Sequence, residues 1–108
     1  MLTNIAEDRV FSALSDRTRR QIVKALGASP LPVHQIASKF DVTRPAISRH
    51  LRILRDADLV GVSEVGRENV YYVKTSTLRE LEDWLNSFWA NRLSKLKALV
   101  EETPIDDR

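Results

Sequence analysis

The chain has 108 residues, of which 43% are hydrophobic, 17 are Lys or Arg and 15 are Asp or Glu, leaving a formal charge of +2. That length supports one compact domain with a modest core, and so small a net charge can act only through clustering. The absence of cysteine excludes disulfides, thiolate metal sites and thiol redox switches.

One domain over residues 1–100 followed by a flexible acidic tail over 101–108 is the expected organisation. The start, Met1 to Asp8, lacks the basic end and apolar run of a signal peptide, and no stretch is apolar enough to span a bilayer. The cytoplasm is the expected location, with no membrane partner.

In chain order, a first helix is expected from about Thr3 to Leu14, burying Ile5, Ala6, Val10, Phe11 and Leu14. A second follows a cap at Ser15 or Asp16, turns Ile22, Val23 and Leu26 inward and ends at Gly27. Arg17, Arg19 and Arg20 fall in its first turns, where a helix dipole disfavours cations. Phosphate contact and plain solvation are the two readings for them, solvation being the simpler. Pro30 and Pro32 mark a loop.

Next, Val33 to Phe40 makes a short helix with Ile36, Ala37 and Phe40 facing inward, and Asp41-Val42 is a tight connection in which Val42 dips into the core. This is helix-turn-helix spacing. Thr43 caps the second helix, and Pro45 is tolerated in its first turn, where no hydrogen bond is lost. Stepping about 100° per residue, Arg44, Pro45, Ser48, Arg49, Arg52 and Arg55 share one arc, while Ala46, Ile47, Leu51, Ile53, Leu54 and Ala57 share the other. No acidic residue interrupts Val42 to Arg55. A stripe of one sign suggests a polyanion opposite it, the alternative being a solvated basic face. His50 lies on the apolar side and reads as packed and hydrogen-bonded; His34 reads as a surface residue.

Beyond Ala57 the period becomes alternating. Val60 to Val65 and Asn69 to Lys74 read as strands joined by a turn at Gly66-Arg67-Glu68, a wing at whose tip Arg67 is placed to reach a phosphate or the minor groove, the alternative being a plain soluble turn residue. A last helix begins near Thr77, which with Glu80 would form a capping box. Its apolar residues, Leu78, Leu81, Leu85, Phe88, Trp89, Leu93, Leu96, Leu99 and Val100, extend over roughly 30 Å. That exceeds what a small core can cover, so the surplus is expected to meet another subunit. Val10, Leu81, Leu85, Phe88, Trp89, Leu93 and Leu96 are the expected homodimer seam, with Trp84 contributing either to it or to the core.

The segments Phe11 to Arg19, Gln35-Ile36-Ala37, Ala46 to Arg55, Leu59-Val60 and Gly66-Arg67 together resemble the bacterial arsenic-repressor (ArsR/SmtB) winged-helix regulators, over nearly the whole chain. The resemblance implies a mainly α fold of about five helices with a two-stranded wing, dimerising through the first and last helices and repressing transcription at an inverted-repeat operator. It further implies base reading by Arg44, Pro45, Ser48 and Arg49, with Thr43, Arg52 and Arg67 on the backbone. Arginine reads guanine bidentately, which favours Arg44 and Arg49 for sequence choice.

The chain departs from the metal-sensing members of that group. Pro32 and His34 stand where a Cys-x-Cys occurs, and the last helix has Glu80, Glu82 and Asp83 but no histidine. Two histidines on separate elements do not make a transition-metal site. No metal or cofactor is expected, and any effector, small molecule or protein, would act at the aromatic seam. Aspartates 41 and 58 replace glycines usual in the group, which places the turns there in question. An enzyme is disfavoured by the lack of a nucleophile-base constellation or glycine-rich phosphate loop. A winged-helix protein-interaction module remains the alternative to a DNA-binding repressor, although it would not need the arginine arc.

Overall fold

A computed structural model describes residues 4–102, with side chains for 6–101. The elements run α1 (Asn4–Leu14), α2 (Arg17–Ala28), β1 (Leu31–Pro32), α3 (Val33–Ser38), α4 (Arg44–Asp56), β2 (Val60–Val65), β3 (Glu68–Val73) and α5 (Thr75–Glu102). Asp16 caps α2, its carboxylate accepting from the Arg19 backbone N–H at 3.0 Å. This bond is the first cause of a carboxyl pKa below the ordinary 3.8. Helix α2 runs one residue past Gly27 before extended Ser29 stops it. Helix α3 ends two residues short of the expected Phe40, whose N–H bonds back to the Ala37 carbonyl at 3.4 Å.

The core is a cluster of Val10 and Ala13 of α1, Ile22 and Leu26 of α2, Ile36 of α3, Ile47, Leu51 and Leu54 of α4, and Ala57, Leu59 and Val60 beyond it. Each of its larger side chains contributes about 1.5–3 kcal/mol by leaving water. Val10 is 1% exposed inside this cluster, so it has almost no surface left for a second chain, and Leu81 is half-buried against the same cluster, unlike Leu85, Phe88, Trp89, Leu93 and Leu96. Val42 is 39% exposed and not buried in the core, whereas Ile36 and Ile47 on either side of the turn are fully buried. Phe11, expected inside, is 38% exposed, with its ring edge-on to Trp84 at 5.0 Å.

The wing gains a third strand. Its sheet order is β1-β3-β2, all antiparallel, with Leu31 opposite Tyr71 and Pro32 opposite Val70. Pro32 is tolerated because β1 lies at an edge, where its missing N–H costs no central ladder bond. The β2–β3 hairpin pairs Val60 with Val73 through Val65 with Glu68 around a two-residue loop. Gly66 supplies the positive φ of 65° at the loop's first position, as a type II′ turn requires.

Two expectations about α5 are corrected. It begins at Thr75, and Thr77 is not its cap: that side chain is 5% exposed and donates to Asp58 Oδ2 at 3.3 Å. Glu101 and Glu102 continue the helix instead of opening the tail. Residues 1–3 and 103–108, with the expected start at Thr3 and most of the acidic tail, lie outside the described residues, as does the Ile5 side chain. From Leu85 to Glu101 every residue of α5 is exposed. Among the described residues no helix is long and apolar enough to cross a membrane.

Candidate nucleic-acid interface

Helices α3 and α4 form the helix-turn-helix, and α4 is the element that presents the arginines. Thr43 caps it, its hydroxyl oxygen accepting from the Ala46 N–H at 3.3 Å, with Arg44 and Pro45 in the first turn. The inner arc, Ile47, Leu51 and Leu54, is fully buried. The outer arc, Arg44, Pro45, Ser48, Arg49, Arg52 and Arg55, is exposed throughout, as is Arg67 at the wing tip. Packing of the apolar arc onto α1, α2 and α3 thus fixes which way the basic arc faces.

The side chains of Arg44, Arg49, Arg52, Arg55 and Arg67 make no hydrogen bond or ion pair to any described residue. Arg19 and Arg20 behave differently. Arg19 donates through Nε to the Ala13 carbonyl at 2.7 Å and through Nη2 to the Ser12 carbonyl at 3.3 Å, while Arg20 Nη1 donates to the Leu14 carbonyl at 2.8 Å. Together they donate to the last carbonyls of α1, where positive charge is favourable. This local carbonyl capping accounts for Arg19 and Arg20 at the start of α2, while Arg17 makes no hydrogen bond or ion pair to a described residue. The clue in the sequence was the short α1–α2 connection, which brings one helix's carbonyl end within reach of the next helix's first turn.

His50 is packed, as expected. Its Nδ1 lies 3.3 Å from Arg19 Nη1 and 3.9 Å from Asp16 Oδ2, with the side chain 20% exposed. A guanidinium can only donate, so in the neutral ring Nδ1 accepts and the proton sits on Nε2. The contact ties α4 to the α1–α2 corner. His34 is a surface residue, 3.6 Å from Glu68 Oε1.

Asp58 takes the glycine-like backbone, φ 61°, immediately after α4. Asp41 has no positive φ and leaves the helix-turn-helix bend in ordinary conformation. On the other face of the molecule, Trp84 stacks edge-on between Phe11 and Phe88, the latter at 4.8 Å, while Trp89 stays open. No group of three or more His, Cys, Asp or Glu comes together among the described residues.

Residues 16–62, which span α2 to β2, match the model of the bacterial regulatory protein, arsR family. The chain is 38% identical over 101 residues to the HTH-type transcriptional regulator Rv2034 of Mycobacterium tuberculosis, covering 94% of each chain. It is 33% identical over 81 residues to the transcriptional repressor SdpR of Bacillus subtilis, covering 75% of this chain and 90% of SdpR. Among solved structures, the ArsR-like transcriptional regulator from Rhodococcus sp. RHA1 superposes with a TM-score of 0.76 at 31% identity, covering 92% of this chain and 93% of that one. A core that holds an unpaired basic helix face outward, beside a hairpin wing and with relatives of this kind along almost the full length, identifies the chain as a member of the bacterial arsR family of regulatory proteins, a winged helix-turn-helix DNA-binding transcriptional regulator and not an enzyme.

Proposed function

We propose that the protein is a homodimeric, sequence-specific repressor that binds an inverted-repeat operator and does not respond to metal. The observation that carries the reading is the set of five guanidinium groups, Arg44, Arg49, Arg52, Arg55 and Arg67, left without any partner among the described residues. What distinguishes the five is that they lie together on α4 and the wing tip, whereas Arg19 and Arg20 are bonded to carbonyls of α1. Arg44, Pro45, Ser48 and Arg49, on the amino-terminal half of α4, read base edges in the major groove. Thr43, Arg52 and Arg67 hold the backbone, the Thr43 hydroxyl remaining free to donate while its oxygen caps α4.

The dimer is supported by α5. Leu85, Phe88, Trp89, Leu93, Leu96 and Leu99 are between 44% and 62% exposed, a continuous apolar stripe on a helix about 42 Å long. Repression is supported by the similarity to SdpR, itself described as a transcriptional repressor. Indifference to metal is supported by the lack of cysteine and by two histidines held on different elements, each already beside a carboxylate.

The test is a mobility shift with the DNA upstream of the protein's own gene and with duplexes selected from random sequence. Retarded complexes that weaken steeply with salt and recover one two-fold-symmetric consensus are expected. Binding of equal strength to all duplexes would remove the sequence-specific part of the reading, and no binding to any would favour a protein-interaction module.

A further inference from the structure

The ridge of sugar and phosphate that separates the major groove of B-DNA from the minor groove must pass between any helix lying in the first and any hairpin reaching toward the second. In this chain the space between helix and hairpin is a cleft of about 430 Å³, lined by Arg52, Arg55 and Asp56 of α4 and by Gly61, Tyr72 and Lys74 on the wing side. Its members are not equivalent. Lys74 is held by Asp58 at 2.7 Å, whereas the guanidinium groups of Arg52 and Arg55 are unpaired.

Tyr72 lies opposite Gly61 across the hairpin, and a Cβ placed on Gly61 would come within 2.5 Å of both Cζ and Oη of the phenol. The ring therefore rests on bare glycine backbone, which positions the hydroxyl at the cleft wall. That hydroxyl makes no hydrogen bond among the described residues, and the tyrosine is only half-buried. A seat that only glycine allows is thus used to present a free O–H beside two free guanidinium groups.

We infer that this cleft is a phosphate clamp, in which Arg55 and Tyr72, together with Arg52, grip a backbone phosphodiester of the DNA between recognition helix and wing. Arginine supplies paired N–H donors and tyrosine one O–H donor, matching the two non-bridging oxygens of a phosphodiester. Arg55 and Tyr72 are positioning contacts that set how far the helix enters the groove, and they carry no base preference. The clamp rests on the docking stated under Proposed function.

The experiment compares the wild type with Arg55→Ala and Tyr72→Phe, using one duplex selected from random sequence and an unselected random duplex, each titrated over a range of chloride concentrations. Arg55 is exposed and phenylalanine keeps the ring on Gly61, so both variants should melt as the wild type does. Arg55→Ala should weaken both duplexes alike and flatten the slope of log affinity against log salt by about 0.9 for each phosphate that it leaves without a cationic partner. Tyr72→Phe, which removes a neutral donor, should weaken both duplexes by roughly two- to tenfold with the slope unchanged. Wild-type affinity in both variants, with Arg67→Ala still weakening binding, would overturn the clamp and leave the docking intact. A wild type that binds neither duplex would overturn both. As a further arm, inorganic phosphate should compete no better than chloride at matched ionic strength; selective competition abolished by Arg55→Ala would make the cleft a site for a free anion and overturn its assignment to DNA.

Discussion

Lys74 Nζ donates to Asp58 Oδ1 across 2.7 Å, and the second oxygen of the same carboxylate accepts from Thr77 Oγ1 at 3.3 Å. The residue that ends the recognition helix is thereby bonded both to the chain leaving the wing and to the first turn of α5. The backbone reinforces the junction, since the Lys74 N–H donates to the Leu59 carbonyl at 2.9 Å. The orientation of α4 and the exit direction of α5 are set at one place.

Asp58 holds φ 61°, a region that costs a non-glycine residue roughly 1–2 kcal/mol. Asp58→Gly and Asp58→Ala both lose the carboxylate, so the difference between them isolates the backbone. Alanine should be about 1 kcal/mol the less stable of the two in urea unfolding. Equal midpoints would mean that the turn relaxes when the side chain is removed. The hydrogen bond that Lys74 donates to Asp58, then the charge of that carboxylate, raises the Lys74 pKa above the ordinary 10.5. A raised pKa means that the lysine's part of the linkage is fully present below pH 10.5 and is lost as pH climbs through the raised value, so measurements near neutrality include it.

At the start of α2, Asp16→Ala should destabilise by about 1 kcal/mol through loss of the cap. The Asp16 pKa is lowered, chiefly by the Arg19 backbone N–H. The cap's charged contribution is therefore complete above pH 3.8 and disappears as pH falls through the lower folded value. Asp16→Asn should keep most of the cap and lose this acid dependence. Identical acid melting curves for wild type and Asp16→Asn would show that the carboxylate charge is irrelevant.

On DNA, Arg44→Ala and Arg49→Ala should each reduce discrimination at particular base pairs by roughly 1–3 kcal/mol. Arg67→Ala should weaken all sequences similarly and reduce the salt slope by about 1. The half-sites of the selected operator should lie about 10 bp apart, or a multiple of that. Uniform, sequence-independent losses from all three substitutions would contradict the division into base-reading and backbone residues.

Leu85→Glu or Leu93→Glu places a charge in the apolar stripe of α5, 44% and 62% exposed respectively in the single chain. Because neither side chain supports the monomer core, the variants should stay folded while sedimentation shifts from dimer to monomer at micromolar concentration. A wild type already monomeric there would sink the dimer.

Zinc, nickel, copper and arsenite added at stoichiometric concentration should leave the protein–operator complex intact. Specific release by any of them would reveal a carboxylate-based site and reverse the metal-blind reading. A small molecule or partner protein acting at the Trp84–Phe88–Trp89 face would instead have to favour a dimer geometry that does not bind DNA.

What could be read in the sequence by itself was whatever depends on neighbours a few residues away. The sorting of α4 into an apolar arc of Ile47, Leu51 and Leu54 and a basic arc follows from the helical period alone. The Thr43 cap and the Gly66 turn follow from side-chain chemistry and backbone freedom at single positions. Features decided only by the tertiary structure involve partners distant along the chain. Leu31-Pro32 is a strand because Tyr71 and Val70 lie alongside it; two residues carry no period of their own. Thr77 looks like a cap in isolation, but Asp58, 19 residues earlier, claims its hydroxyl and α5 begins two residues sooner. Val10 and Leu85 both read as apolar seam residues, and only packing separates them: α1 lies against α2 and α4 and is consumed by the core, whereas α5 runs past the end of that core with its stripe open. Apolar periodicity says that a face must be buried, but the three-dimensional arrangement of the other elements decides whether the chain itself can bury it.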